Sequence, residues 1–390
     1  MKWETVKLAE CCISIADGDH QPPPKADTGV PFVTISNINA SHQFDFSNTM
    51  FVPQEYYDRL DTKRRAQVGD VLYSVVGSFG IPVLITDNAP FVFQRHIAIL
   101  RPNERILPAF LFYTMLSSDF YSKADAAAIG AAQRTISLNA LRNMEIDLPP
   151  LEIQEEIVRK LSAYDNLINN NQKQINLLEE AAQRLYKEWF IDLRFPGHET
   201  TPIHDGIPEG WERMRLSEIA EVVMGQSPKS EFYNTKREGL PFHQGVGSYG
   251  NRFVIDDVYS TSFTRIAKAG SVLFSVRAPV GRLNITRNKV VIGRGLAAMN
   301  HKAGLQSFLF YMLKERFFKD NLVGNGAIFA SISKNELLEQ LFVVPTERIA
   351  SQYNGIASSI DEKIEILDRE IMILSEARDR LLPKLMGEEY

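Results

Sequence analysis

Between Ile157 and Trp189 the apolar residues fall at alternating three- and four-residue steps: Leu161, Tyr164, Ile168, Ile175, Leu178, Ala182, Leu185 and Trp189. This is the spacing of a helix with one apolar face, sustained as a heptad seam and interrupted once, by Asn171. The stretch holds no Gly or Pro to break it. A second seam, Ile360, Ile364, Leu367, Ile371, Leu374, Leu381 and Leu385, is broken only by Arg378. Pro149-Pro150 and Pro345 stand just ahead of the two stretches, where helices accept proline. Elsewhere the pattern shortens. Strands are expected at 32–35, 70–76, 81–86 and 95–100, and again at 271–276, 282–286 and 294–299. Short helices are expected at 108–116 and 306–313 and after Ser137 and Ser333, where Ser333-Lys334-Asn335-Glu336 is a capping box. No regular alternation of strand and crossover helix appears, which favours an α+β fold over a parallel-sheet one.

The chain repeats itself. Residues 136–190 align with 332–386 at a constant offset of 196: Ile136-Ser137-x-Asn139-x-Leu141 becomes Ile332-Ser333-x-Asn335-x-Leu337, and Asp165, Ile175 and Leu185 become Asp361, Ile371 and Leu381. Upstream, Trp3-Glu4-x-x-x-Leu8 matches Trp211-Glu212-x-x-x-Leu216 at offset 208, and Gly69-x-Val71-Leu72-Tyr73-Ser74 matches Gly270-x-Val272-Leu273-Phe274-Ser275 at 201. Each copy is therefore a variable globular body followed by a helical tail of fixed length.

An amphipathic helix cannot bury its seam alone, and the chain supplies one partner of matching length and register. A local two-fold across the seam would set the tails antiparallel, as a two-helix coiled coil with one body at each end. The 33 residues of the first seam would span about 50 Å at about 1.5 Å per residue. The expected organisation is a first body over 1–147, a spacer helix and linker over 148–200, a second body over 201–344 and a second spacer helix over 345–390.

Charge separates the segments. Lys and Arg against Asp and Glu count 13 to 16 in residues 1–150, 6 to 9 in 151–200, 18 to 13 in 201–345 and 6 to 10 in 346–390. Only the second body is basic, and residues 252–302 carry nine cations against Asp256 and Asp257. Such a local excess is the footprint of phosphate binding. The acidity of the first body argues against tight DNA binding by this chain alone. Two adjacent cysteines, Cys11 and Cys12, are too few for a disulfide framework or a metal site. No apolar leader and no apolar run of about 18 residues is present, which points to a cytoplasmic protein without a membrane span.

Catalytic motifs are missing. Gly245-Val246-Gly247-Ser248-Tyr249-Gly250 satisfies a dinucleotide fingerprint in letters, but Asn251 to Ile255 reads as strand where the pyrophosphate would need a helix N-terminus. No phosphate loop, zinc-protease motif or serine-hydrolase elbow occurs.

Two variable bodies, each followed by a proline-led helical tail, with G-D-V-L-Y-S at Gly69 to Ser74 and L-P-P-L-E-I-Q-E-E-I at Leu148 to Ile157, resemble the specificity subunit of type I restriction-modification enzymes. The resemblance covers essentially the whole chain. It implies that the bodies are target recognition domains for double-stranded DNA. It also implies that the helices space them and dock two methyltransferase subunits, and that restriction and translocase subunits complete the assembly. Catalysis would belong to those partners, with S-adenosylmethionine, ATP and Mg2+ bound there and no cofactor or metal in this chain. The expected target is bipartite, with two different half-sites around an unread spacer, since the bodies differ while the tails match. The competing reading is a non-catalytic coiled-coil scaffold without sequence-specific DNA binding, against which the basic excess at 252–302 speaks.

Base-reading residues should lie on loops where the copies diverge and be Arg, Asn or Gln. Gln133-Arg134 fits, being replaced by Phe329-Ala330 in the second copy. Lys63, Arg64, Arg65, Lys236, Arg237, Arg252, Arg277, Arg282, Arg287 and Lys289 are phosphate candidates. Arg95 and Arg294 recur in both copies, which suits a structural role or a shared phosphate contact.

Overall fold

The computed structural model describes residues 3–39, 42–47, 49–130, 134–317 and 331–387. The chain divides into two compact units, Met1–Gln172 with Arg369–Tyr390, and Lys173–Asp368.

In the first unit, strands Cys12–Asp17, Ile97–Pro102, Val71–Ser74 and Pro82–Leu84 form an antiparallel sheet in that order. A smaller sheet pairs Val30–Val33 antiparallel with Met50–Val52 and parallel with Val92–Phe93. Glu4–Lys7 pairs with Glu145–Leu148, from Glu4 opposite Leu148 to Lys7 opposite Glu145, so the body's first strand is tied to the strand that leads into the long helix. The four-stranded sheet buries Val71, Tyr73, Ala98 and Leu100 against the helix Pro108–Leu116, in one core with Leu161, Leu382 and Leu385 of the long helices. The other face, through Leu72, Ile97 and Ile99, packs on Val33, Phe91 and Phe93 of the smaller sheet. Strands with both faces covered are largely apolar, as Val71, Leu72 and Tyr73 illustrate in the fully buried run Val71–Ser74, whose one serine accepts from Ile81 N at 2.9 Å.

The second unit repeats this frame. Ala220–Met224, Leu296–His301, Val272–Ser275 and Leu283–Ile285 take the same order, Leu240–His243 lies parallel to Val290–Ile292, and Glu212–Arg215 pairs with Leu341–Val344. The capping box is made: Ser333 Oγ accepts from Glu336 N at 3.3 Å, and Ser333 N donates to Glu336 Oε2 at 2.8 Å. The strand pattern left several strands unmarked, among them Glu4–Lys7, Met50–Val52, Glu145–Leu148, Ala220–Met224, Leu240–His243 and Leu341–Val344, and it gave no sign of the parallel pair in each body, because period-two alternation carries no direction.

The long helices are Leu151–Phe190 and Glu347–Leu385, and each contributes one part to each unit. In the first unit Asp165 meets Arg378 and Asn171 meets Glu370, so residue number rises along one helix as it falls along the other. In the second, Ala182 C=O accepts from Tyr353 Oη, while Glu179 and Asp361 share Arg252, which gives the same antiparallel sense. Leu161, Ile168, Ile175, Ile364 and Leu367 are buried, and Leu178, Leu185, Ile360, Ile371, Leu374 and Leu381 half-buried. Asn171, which interrupts the first seam, is buried with its amide donating to Glu370 at 3.0 Å, so the polar group is satisfied where it lies.

Candidate nucleic-acid interface

Each body is fixed to its helices by a duplicated pair. Tyr113 Oη donates to Asp165 Oδ2 at 2.5 Å in the first unit, and Tyr311 Oη to Asp361 Oδ1 at 2.9 Å in the second. Each aspartate also takes an arginine. In the first unit it is Arg378 of the second long helix, 2.7 Å from Asp165. In the second it is Arg252, which reaches Asp361 and Glu179 and lies over the Phe310 ring at 4.3 Å. Burial works against the Arg252 charge, but the Asp361 carboxylate, with Tyr311 and Glu179, more than offsets it and holds the proton more firmly than usual.

This placement corrects one expectation. Arg252 is only 3% exposed, so its guanidinium lies inside the fold and not on a surface a duplex could reach. A basic residue in a polar segment looks the same in sequence whether its charge meets solvent or two acids from the helices.

The remaining cations fall into two groups. Lys63, Lys236, Arg237, Arg277 and Lys289 are exposed and make no ion pair among the described residues. Lys63 sits on the turn Thr62–Arg64, capped by Asp61, whose carboxylate accepts from Lys63 N at 2.9 Å. Lys236 and Arg237 occupy a turn tip closed by Asn234 Oδ1, which accepts from Lys236 N at 3.1 Å and Glu238 N at 3.0 Å. The second group is held by the fold. Arg64 is 3.6 Å from Asp17. Arg65 donates to the Leu60 and Asp58 carbonyls and covers the Tyr57 ring. Arg134 pairs with Asp125 and lies over Phe79, and Arg287 pairs with Asp368 and lies over Phe253. Arg282 is half-buried, its backbone N bound to Ser275 Oγ at 2.8 Å. Gln133, like Phe329 and Ala330, lies outside the described residues.

The second unit contains a cleft of about 890 Å³ among whose lining residues are Ser227, Tyr233, Phe242, Gln244, Ile255, Val258 and Arg294. The Gly245–Gly250 segment forms part of its wall. It makes the short turn Val246–Ser248 and then a bridge from Tyr249 to Val254, with no helix behind it. Exposed Gln244 and Arg294 face this space, and Ser227 Oγ donates to Gln244 Oε1 at 2.9 Å while accepting from Arg294 N at 3.2 Å. Gln244 was not among the sequence candidates; its one signal was divergence between the copies. A smaller cleft of about 470 Å³ in the first unit is lined by Asp17, Asp61, Lys63, Arg64 and Arg142. Among the described residues no group of His, Cys, Asp or Glu is placed to hold a metal. No helix among them is long and apolar enough to cross a membrane.

Comparison with known proteins agrees with this arrangement of duplicated bodies. The family described as type I restriction modification DNA specificity domain matches residues 1–180 and 208–371. A Methanocaldococcus jannaschii chain described as the MjaX type I restriction enzyme specificity subunit is 30% identical over 397 residues, covering 98% of this chain and 92% of that one. The HindI specificity subunit of Haemophilus influenzae is 21% identical, covering 84% and 88%. Among solved structures, the type I restriction-modification S subunit from M. genitalium shares the fold, with a TM-score of 0.57 at 15% identity over 100% of this chain and 97% of that one.

Proposed function

Because the chain belongs to the family of type I restriction-modification DNA specificity proteins, we propose that it reads an asymmetric bipartite target in double-stranded DNA, one short half-site per body with an unread spacer between. Supplying DNA specificity, without catalysis of its own, is the role the family assigns to this chain. The observation that carries the bipartite reading is the pair of bodies built on one frame, strand order for strand order, with different side chains on the loops. A shared frame keeps the docking geometry; diverged loops give each copy its own bases. A scaffold would have no use for that combination.

Two methyltransferase subunits are the partners this reading requires, and the helices offer a repeated contact. Leu177 and Ile373 are equivalent at offset 196 and remain 66% and 65% exposed, each in its own unit. One apolar group presented twice suits two copies of one partner. S-adenosylmethionine belongs to those subunits, and ATP with Mg2+ to a restriction and translocase subunit. The assembly acts on DNA in the cytoplasm.

The test is co-expression of this chain with its cognate methyltransferase, and of that methyltransferase alone, in cells lacking adenine methylation, followed by single-molecule mapping of modified adenines. A bipartite motif appearing only when this chain is present is the expected result. A stable complex without any motif, or a single contiguous motif, would overturn the bipartite reading.

A further inference from the structure

The two copies differ by one residue at the mouth of the second unit's cleft. In the first unit Gln94 N donates to Val33 O at 3.2 Å, and in the second Gly293 N donates to His243 O at 2.8 Å. The following contacts also correspond: Ile97 N to Gln94 O and Leu296 N to Gly293 O, then Val75 N to His96 O and Val276 N to Gly295 O. Val33 is therefore equivalent to His243. After Val33 the chain enters its short turn at once, with Thr34 as the cap, whereas after His243 it enters at Gly245. Gln244 is the additional residue.

The second copy is built to accommodate it. Where the first copy has Gln94 and His96, the second has Gly293 and Gly295. A Cβ at Gly293 would lie 2.9 Å from Gln244 Cα, and one at Gly295 would lie 2.6 Å from Gln244 O. Both glycines are thus required by the close approach of the Gln244 backbone, not by backbone torsion. Ser227 then holds the side chain through its bond to Oε1, and the amide of this cleft-lining, exposed residue keeps its two Nε2 donors and a second Oε1 lone pair for a ligand. A carboxamide held this way matches the N6 donor and N7 acceptor of adenine, and the exposed apolar side chains Ile255 and Val258 in the same cleft suit the methyl group of the paired thymine.

Resting on the DNA-specificity reading, we propose that Gln244, positioned by Ser227, Gly293 and Gly295, reads the adenine edge of an A·T pair in one half-site, while Arg294 grips the adjoining backbone. Arg294 recurs as Arg95 at the same turn of the first unit, and both are exposed with no ion pair among the described residues. A group common to both bodies serves what is common to both half-sites, the phosphates.

The experiment compares methylation motifs and DNA binding for the complex assembled with wild-type chain, Gln244→Ala, Ser227→Ala and Arg294→Ala. With Gln244→Ala, discrimination at one A·T pair of one half-site should fall by about 5- to 150-fold, the value of one bidentate base contact, with the other half-site unchanged. Ser227→Ala should relax the same pair to a smaller degree, and it carries the test if the Gln244 variant fails to assemble. Arg294→Ala should weaken binding evenly across sequences and lower the salt slope by about one. An unchanged motif with Gln244→Ala, or an even loss at every position, would overturn the proposal. If the wild-type complex shows no motif at all, the DNA-specificity reading fails first and is recognised separately.

Discussion

Replacing Arg252 by alanine separates a buried clamp from a surface phosphate contact. The side chain is 2% exposed and bridges Glu179 at 3.0 Å and the Asp361 carboxylate, which itself accepts from Tyr311. Removing one partner of a buried pair costs about 3 to 5 kcal/mol, because the carboxylates stay desolvated without a cation. Glu179 and Asp361 are 26% and 19% exposed, so water recovers part of that, and we take the lower end. Contact with the Phe310 ring adds about 0.5 to 1 kcal/mol. A loss of about 3 kcal/mol in a unit of this size lowers Tm by about 6 to 12 °C. Trp189 and Trp211 both lie in the second unit, so their fluorescence on heating, in a Trp3→Phe background, follows that unit. Arg252→Met keeps most of the volume and should recover no more than about 1 kcal/mol, since both acids remain unpaired. The reasoning fails if Arg252→Ala melts within about 2 °C of the parent and instead reduces the salt slope of DNA binding by about one, because the guanidinium would then be serving the duplex.

The exposed cations behave oppositely. Substituting Lys63, Lys236, Arg237, Arg277 or Lys289 by alanine should leave Tm unchanged and the methylation motif intact. Each that faces DNA should lower the salt slope of the assembled complex by about one, read from affinities over a range of salt. A pH dependence is expected from His301, whose pKa burial lowers from its ordinary 6.5. Its Nδ1 accepts from Ala303 N at 3.1 Å, so the neutral ring belongs to the fold. A group with a depressed folded pKa binds its proton more readily when unfolded. Its contribution is complete above about pH 6.5 and erodes as pH falls toward the lower folded value. The second unit should melt earlier at pH 5.5 than at pH 7.5, and a His301→Gln variant should flatten that slope; an equal slope in the variant would remove His301 as its source.

Much of the frame was legible because apolar periodicity and duplication are both local. The heptad spacing gave the long helices, the constant offset of 196 gave their equivalence, and Ser333 with Glu336 marked a helix start that the hydrogen bonds make. The interface was less legible because charge has no address in sequence. Arg252 and Arg277 are both basic residues of one basic segment, yet one is buried between two helices and the other is exposed. The side chain of arginine is long enough for either, and its neighbours decide. The Gly245–Gly250 string has a short turn and a bridge behind it in place of a helix. Its actual place, lining a cleft beside an inserted Gln244, depends on strand pairings between residues about 50 positions apart in sequence, as Phe242 with Val291 shows.

The duplication also shows which interactions the frame can exchange. Asp70 and Arg101 form a pair in the first unit at 2.8 Å, with the aspartate buried. At the corresponding strand positions of the second unit Ser271 Oγ donates to Asn300 Oδ1 at 3.0 Å, a neutral bond doing the same bridging between the same two strands. Buried ion pairs are often replaceable in this way, because desolvation offsets most of their Coulombic gain. The tyrosine–aspartate contact is different: it is kept in both units, while the arginine that answers the aspartate comes from the helix in one and from the body in the other. What both copies retain is the contact that sets a body against its helices, and what they vary is how its charge is neutralised. That is the pattern expected if selection holds the orientation of the reading surface constant and leaves the surface itself, including the inserted Gln244, free to change.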